Sequence, residues 1–219
     1  MTIAECLVSI YKRFEKTDEA PDTSGEDYIV RMEYVNAAID KWENELGIQW
    51  KELFSTLSQT LVSGVYDDNT GTGTLQYFKR PAGYLWIGED KYQYVRPERV
   101  EKEVEMNAGK KIYTVTGSKG TYAIHVYPST SGAFTLNYVK RAQKYSTGVE
   151  TEEIEMSDPE FCIYDVLAQL YLEDDNTTQA SVVQQVAGAK MDAMKLENER
   201  DPFNNNNNFP DDDFDGFGN

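Results

Sequence analysis

The segment DDDFDGFGN at residues 211–219 carries the residue types that open a calcium-binding loop. An EF-hand loop has oxygen ligands at its first, third and fifth positions and glycine at its sixth; aspartates counted from Asp211 and then Gly216 satisfy this spacing. The motif also requires a bidentate glutamate at its twelfth position, which would lie past Asn219, and a helix before the loop. An asparagine run and Pro210 stand where that helix would be. We therefore predict neither an EF-hand nor any metal or cofactor site.

Other residue types that catalyse reactions occur in arrangements that do not favour an enzyme. His125 is the sole histidine, which excludes a histidine-rich zinc site, and its place in a predicted strand is typical of a structural residue. The sequence has no GxSxG motif and no P-loop, and TGTGT at 70–74 lacks the third glycine of a nucleotide-binding loop. Cys6 and Cys162 lie in separate predicted helices and are predicted to be buried, reduced thiols.

Two patterns keep other functions open. Glu89 and Asp90 follow the aromatic run GYLWIG and could form the carboxylate pair of a glycoside hydrolase, although an acidic hairpin turn has the same composition. Nearby aromatic side chains could stack on sugars in a glycan-binding module, or they could fill a small core and a subunit contact, which we favour. These aromatic residues are Tyr84, Trp86, Tyr92 and Tyr94.

Helical patterns stand at both ends of the chain, and strand patterns lie between them. Thr2 and Glu5 form a capping box, and a second helix carries apolar residues spaced by four and three from Tyr28 to Leu46. Seven β-favouring runs, cut by turn residues, follow from about residue 49. Ser157, Asp158 and Pro159 then start a last pair of helices.

This order predicts an α+β protein in four parts. Residues 1–48 and 151–200 are expected to form one helical bundle. Residues 49–150 are expected to form a β-hairpin or sandwich-like insert that projects from the bundle. Residues 201–219 are expected to be an extended C-terminal tail.

The tail is predicted to bind a partner rather than to fold by itself. Its asparagine, aspartate and glycine residues bury too little apolar surface to offset the entropy of ordering the chain. Aromatic groups are the parts of the tail expected to make contact. The candidate partner-binding residues are Phe203, Phe209, Phe214 and Phe217.

The charge of the chain bears on its partners and location. The net charge of −17 argues against a surface that grips nucleic acid, because phosphate binding requires clustered lysine and arginine. The N-terminus does not have the pattern of a signal peptide, and no apolar run approaches the length of a membrane span. We expect a protein of a reducing, soluble compartment, with no membrane contact.

Several features over roughly residues 25 to 200 occur together in one known family. The helix YIVRMEYVNAAIDKWENELGIQWKELF leads into hairpins, a strand closes with Tyr127 and Pro128, and the next strand carries Tyr138. Asp158 with Pro159 then opens the final helices. This order resembles the head-to-tail adaptor proteins, or connector rings, of tailed bacteriophages.

The resemblance implies a structural role in the virion and no enzymatic activity. Such adaptors form a homo-oligomeric ring, commonly of about twelve copies, beneath the portal protein of the filled head. Their C-terminal segment docks into the portal, and the β-part faces the next tail or tail-hub protein. DNA passes through the lumen without specific binding during genome ejection. The expected location is the head–tail junction after assembly in the host cytoplasm, and the alternative is a glycan-binding or host-recognition module.

Overall fold

The structure is a computed structural model, and it divides the chain into two compact units. One unit comprises Met1–Glu52 with Ala142–Asn219, and the other comprises Leu53–Arg141. The structure describes residues 1–17, 21–68, 75, 77–118, 121–148 and 151–200. The four candidate phenylalanines of the tail lie outside the described residues.

Five α-helices and seven strands are present among the described residues. The helices are α1 (Ile3–Glu15), α2 (Glu26–Glu43), α3 (Val100–Met106), α4 (Glu160–Glu173) and α5 (Thr177–Arg200). The strands are β1 (Phe54–Leu61), β2 (Val65–Asp67), β3 (Phe78–Ile87), β4 (Asp90–Tyr94), β5 (Ile112–Ser118), β6 (Thr121–Tyr127) and β7 (Gly132–Lys140).

In the helical unit, α1, α2 and α5 each pack against α4. The predicted capping box at the start of α1 is confirmed: the Glu5 N–H donates to Thr2 Oγ1 at 3.2 Å, and the Thr2 N–H donates to Glu5 Oε2 at 2.8 Å. The predicted apolar face of α2 is too long. The helix ends at Glu43 and Leu46 is 93% exposed, because the chain turns away before it reaches that position.

Buried polar side chains hold the non-helical segments of this unit against its helices. The Glu43 carboxylate accepts the N–H of Ala142 at 3.0 Å. At the end of α5, the buried Asn198 accepts the N–H of Lys51 at 3.0 Å and donates to the carbonyl of Gln49 at 2.9 Å. These bonds satisfy backbone groups that lie outside the α-helices and strands.

The seven strands form one sheet in the order β1-β7-β3-β4-β5-β6-β2. Neighbouring strands are antiparallel except β4 and β5, which are parallel. The edge strands β1 and β2 are joined by a tight turn with two hydrogen bonds between the backbones of Val62 and Val65. Both edges of the sheet therefore meet, and the sheet is a nearly closed barrel.

The predicted helical bundle with an inserted hairpin or sandwich-like domain is wrong. The protein is a mixed α/β protein with a seven-stranded, barrel-like sheet and two C-terminal helices. The error arises because β7 pairs with β1 along Phe54–Leu61 and, on its other side, with β3. Such pairings between distant segments leave no local pattern in the sequence, whereas hairpins do.

One face of the strands supplies the core of the sheet unit. Tyr113 crosses this core and its hydroxyl donates to the carbonyl of Gly83 at 2.7 Å, which ties β5 to β3. The fully or nearly fully buried members of the core are Leu57, Leu61, Leu75, Phe78, Leu85, Tyr92, Tyr113, Val115, Ile124, Val126, Phe134, Leu136 and Tyr138.

We expect the substitution Asn198→Ala to lower the free energy of unfolding by about 1–3 kcal/mol, because it removes two partly buried hydrogen bonds to the backbone of Gln49 and Lys51. Urea unfolding followed by far-ultraviolet circular dichroism measures the change. The exposed neighbour Glu199 provides the control, and Glu199→Ala should alter stability by less than about 0.5 kcal/mol. Equal stability of the two variants would contradict the role of Asn198.

Candidate functional site

Two aromatic side chains of β3 lie on the outer face of the sheet. Successive side chains of a strand point to opposite faces, so Leu85 enters the core while Tyr84 and Trp86 point outward. Trp86 is 43% exposed, and its ring centroid lies 6.5 Å from that of Tyr84 in an edge-to-face arrangement. This pair is an apolar surface that the core does not use.

Polar groups flank the aromatic pair on the neighbouring strands. Lys91 of β4 stands opposite Trp86 in the strand register, and its Nζ lies 4.7 Å from the centroid of the Tyr84 ring. On the other side of Trp86, the exposed Thr135 of β7 is the register partner. We call the surface formed by Tyr84, Trp86, Lys91 and Thr135 the aromatic face.

The aromatic face has the composition of a binding surface. Exposed tryptophan and tyrosine supply large contact areas at low entropic cost, and they are enriched among the residues that dominate interface energies. The Lys91 ammonium and the Thr135 hydroxyl add polar contacts at its edge. A protein surface or a sugar ring would satisfy this combination of groups.

The structure separates the four aromatic residues predicted as a set. Tyr84 and Trp86 share the aromatic face, whereas Tyr92 is buried in the core as the register partner of Leu85. Tyr94 packs on Tyr113 with ring centroids 5.5 Å apart, and its burial raises the pKa of its hydroxyl. The pairing of β3 with β4 decides which rings point outward, and the sequence does not show this register.

The two candidate carboxylates lie in and beside the turn between β3 and β4. Glu89 is exposed in the turn, and Asp90 begins β4. The Asp90 carboxylate lies 2.5 Å from the ammonium of Lys111, near the start of β5. This ion pair gives Asp90 a structural role at the surface, as expected for the acidic turn that the sequence also allowed.

The histidine and the two thiols occupy structural positions. His125 Nε2 lies 3.2 Å from the hydroxyl of Thr116 on the neighbouring strand. Cys6 and Cys162 are buried and unpaired, which confirms that prediction. Burial raises the pKa of the Cys6 thiol to about 12 and raises that of Cys162 well above its usual range. Neither thiol is therefore a thiolate nucleophile at neutral pH.

The remaining predictions concern ligands, membranes and segments outside the described residues. Within the described part of the chain, no cluster of three or more histidine, cysteine, aspartate or glutamate side chains could hold a metal ion. No helix among these residues is long and apolar enough to cross a membrane. The partner-binding candidates Phe203, Phe209, Phe214 and Phe217 lie outside the described residues, as do the calcium-like segment and TGTGT at 70–74.

The residues that carry the resemblance to phage adaptors lie at or near the ends of elements. Tyr127 is the last residue of β6, and Tyr138 is buried in β7. Asp158 precedes α4, accepts the N–H of Glu160 at 3.1 Å and binds Lys190 of α5 at 2.9 Å. Neither a protein-family model nor a curated protein matches the chain.

Trp86→Ala should leave the sheet folded, because the side chain it removes contributes to the outer face and not to the core. We expect the free energy of unfolding to fall by less than about 1 kcal/mol. Leu85→Ala, at the adjacent and fully buried position, should cost about 2–5 kcal/mol. Denaturant unfolding of both variants measures this contrast, and a Trp86→Ala variant as unstable as Leu85→Ala would show that Trp86 belongs to the core.

Proposed function

We propose that this chain is a structural virion protein that forms a ring between the portal of a phage head and the tail. In this role, DNA passes through the lumen of the ring during genome ejection. The observation that carries the proposal is the order of the chain, in which α1 and α2 precede the sheet-forming residues and α4 and α5 follow them. Tyr127 with Pro128 and Asp158 with Pro159 stand at the positions in this order where the adaptor family has them.

The charge of the chain supports passage of DNA without binding. A net charge of −17 repels the phosphate backbone, so a lumen lined by such subunits would not hold DNA. A protein that binds DNA through its backbone would require the opposite sign of charge. The acidic composition therefore suits a ring through which the genome slides.

The surface of the sheet unit supports a role in assembly. The aromatic face offers Tyr84 and Trp86 to a protein partner, and in this proposal that partner is a neighbouring copy or the next tail protein. The tail would supply the second contact, with its phenylalanines docked on the portal protein. Aromatic anchors on a segment without other apolar residues suit binding of this kind.

A tail variant tests the docking that this proposal requires. We expect Phe209→Ala combined with Phe214→Ala to weaken co-sedimentation of the chain with DNA-filled heads that carry the portal, by at least about tenfold, because two buried aromatic contacts are lost. Circular dichroism should show unchanged helix content.

The combination of Asn205→Ala and Asn207→Ala is the matched control, because it alters the same segment and leaves its phenylalanines in place. This control should sediment like the unaltered chain. Equal sedimentation of the phenylalanine variant and the control would contradict docking through these aromatic residues.

Exposure of the aromatic face favours a second function, glycan binding or host recognition. A buried Trp86 would have removed this alternative, and Trp86 is 43% exposed beside Tyr84. Sugar rings stack on such side chains through their C–H groups. A glycan array separates the two functions, since saturable binding that Trp86→Ala abolishes would favour the module and its absence would favour the ring.

A further inference from the structure

A cleft of about 350 Å³ opens in the helical unit between the C-terminal end of α1, the first turns of α2 and the C-terminal end of α4. Apolar side chains from all three helices line part of it: Phe14, Val30 and Leu170. Charged side chains line the rest. Neither the aromatic face nor the tail contributes to this cleft.

The cleft has a strongly negative end. Asp27, Glu173 and Asp174 all line it, and none of the three forms an ion pair among the described residues. Glu173 accepts a hydrogen bond from the Tyr34 hydroxyl, which leaves its negative charge uncompensated. Glu173 and Asp174 also stand at the C-terminal end of α4, where the helix dipole is negative and the last turn carries no basic residue. Carboxylates at this end of a helix are electrostatically unfavourable unless a cation approaches them.

A buried arginine lines the same cleft and has hydrogen-bonding capacity left over. Arg31 is 5% exposed, its Nη2 donates to Glu15 Oε1 at 2.5 Å, and its guanidinium carbon lies 4.6 Å from the centroid of the Tyr11 ring. Its Nη1 is buried and has no hydrogen-bond partner among the described residues. A buried donor in this state is destabilising, and an acceptor oxygen brought by a ligand would relieve that cost.

The three kinds of lining group match the parts of a basic residue within a peptide. We propose that this cleft binds a lysine or arginine side chain of a partner protein. The methylene stem lies against Phe14, Val30 and Leu170, and the charged head group lies among the three carboxylates that form no ion pair. A backbone carbonyl of the same partner segment accepts a hydrogen bond from Arg31 Nη1.

Other ligand classes fit these groups less well. An anion would meet three carboxylates whose charge no described cation neutralises, and a bare metal ion would gain nothing from the apolar wall. The net charge of −17 makes a basic partner segment the complementary one. The site does not depend on the ring, because every group that forms it belongs to one copy of the chain.

Nuclear magnetic resonance titration of the whole chain tests this site. The probe is the peptide acetyl-Gly-Arg-Gly-amide, and its control is the same peptide with citrulline, which has nearly the same shape and no charge. We expect saturable shifts of the Arg31 Nε–Hε signal and of the Asp27 and Glu173 amide signals with the arginine peptide. The citrulline peptide should leave these signals unchanged.

Variants of the carboxylates give the matched comparison. Asp27→Asn combined with Glu173→Gln should weaken binding of the arginine peptide by at least about fivefold, since two charges that face the cation are removed. Asp192→Asn removes an exposed carboxylate of α5 that lies outside the cleft, and it should leave the affinity unchanged.

Three results would overturn the proposal. The first is equal shifts with the arginine and citrulline peptides, and the second is unchanged affinity in the double variant. The third is self-association of the unaltered chain, in analytical ultracentrifugation, that the double variant alone abolishes; a second copy and not a different protein would then occupy the cleft. Each result leaves the ring proposal open to its own test.

Discussion

The helical unit depends on hydrogen bonds between side chains of α2 and the segment that follows β7 in the sequence. The buried carboxylate of Glu43 accepts the N–H of Ala142 at 3.0 Å. Asn36, about two turns before Glu43 in the same helix, exchanges two hydrogen bonds with the backbone of Tyr145, at 2.8 and 2.9 Å. Because side chains of α2 hold the segment that leads towards α4, helices from both ends of the sequence can share one core.

Packed side chains fill the interiors of both units, and the groups that could bind another molecule lie on their surfaces. The thiols are buried and uncharged, and a hydrogen bond joins His125 of β6 to Thr116 of β5. The surfaces offer Tyr84 and Trp86 on the sheet, and an acidic cleft beside Arg31 on the helices. Both surfaces carry groups that suit contact with another molecule.

Local features were predictable from the sequence because their causes are local. Thr2 and Glu5 lie three residues apart and form the capping box by themselves. The sheet was not predictable, because the pairing of β7 with both β1 and β3 joins distant segments. The aromatic face and the cleft could not be predicted for the same reason. Strand register decides that Trp86 points outward, and the cleft forms only where three helices meet.

We propose that the chain assembles into a ring, and electron microscopy of the purified 219-residue chain tests this proposal most directly. We expect closed rings of about twelve subunits with a central opening, as in cyclic assemblies with one repeated interface. Virus particles incubated with the chain should show the same ring at the head–tail junction. A chain that stays at its monomer mass of 25.0 kDa and never joins a particle would contradict the claim.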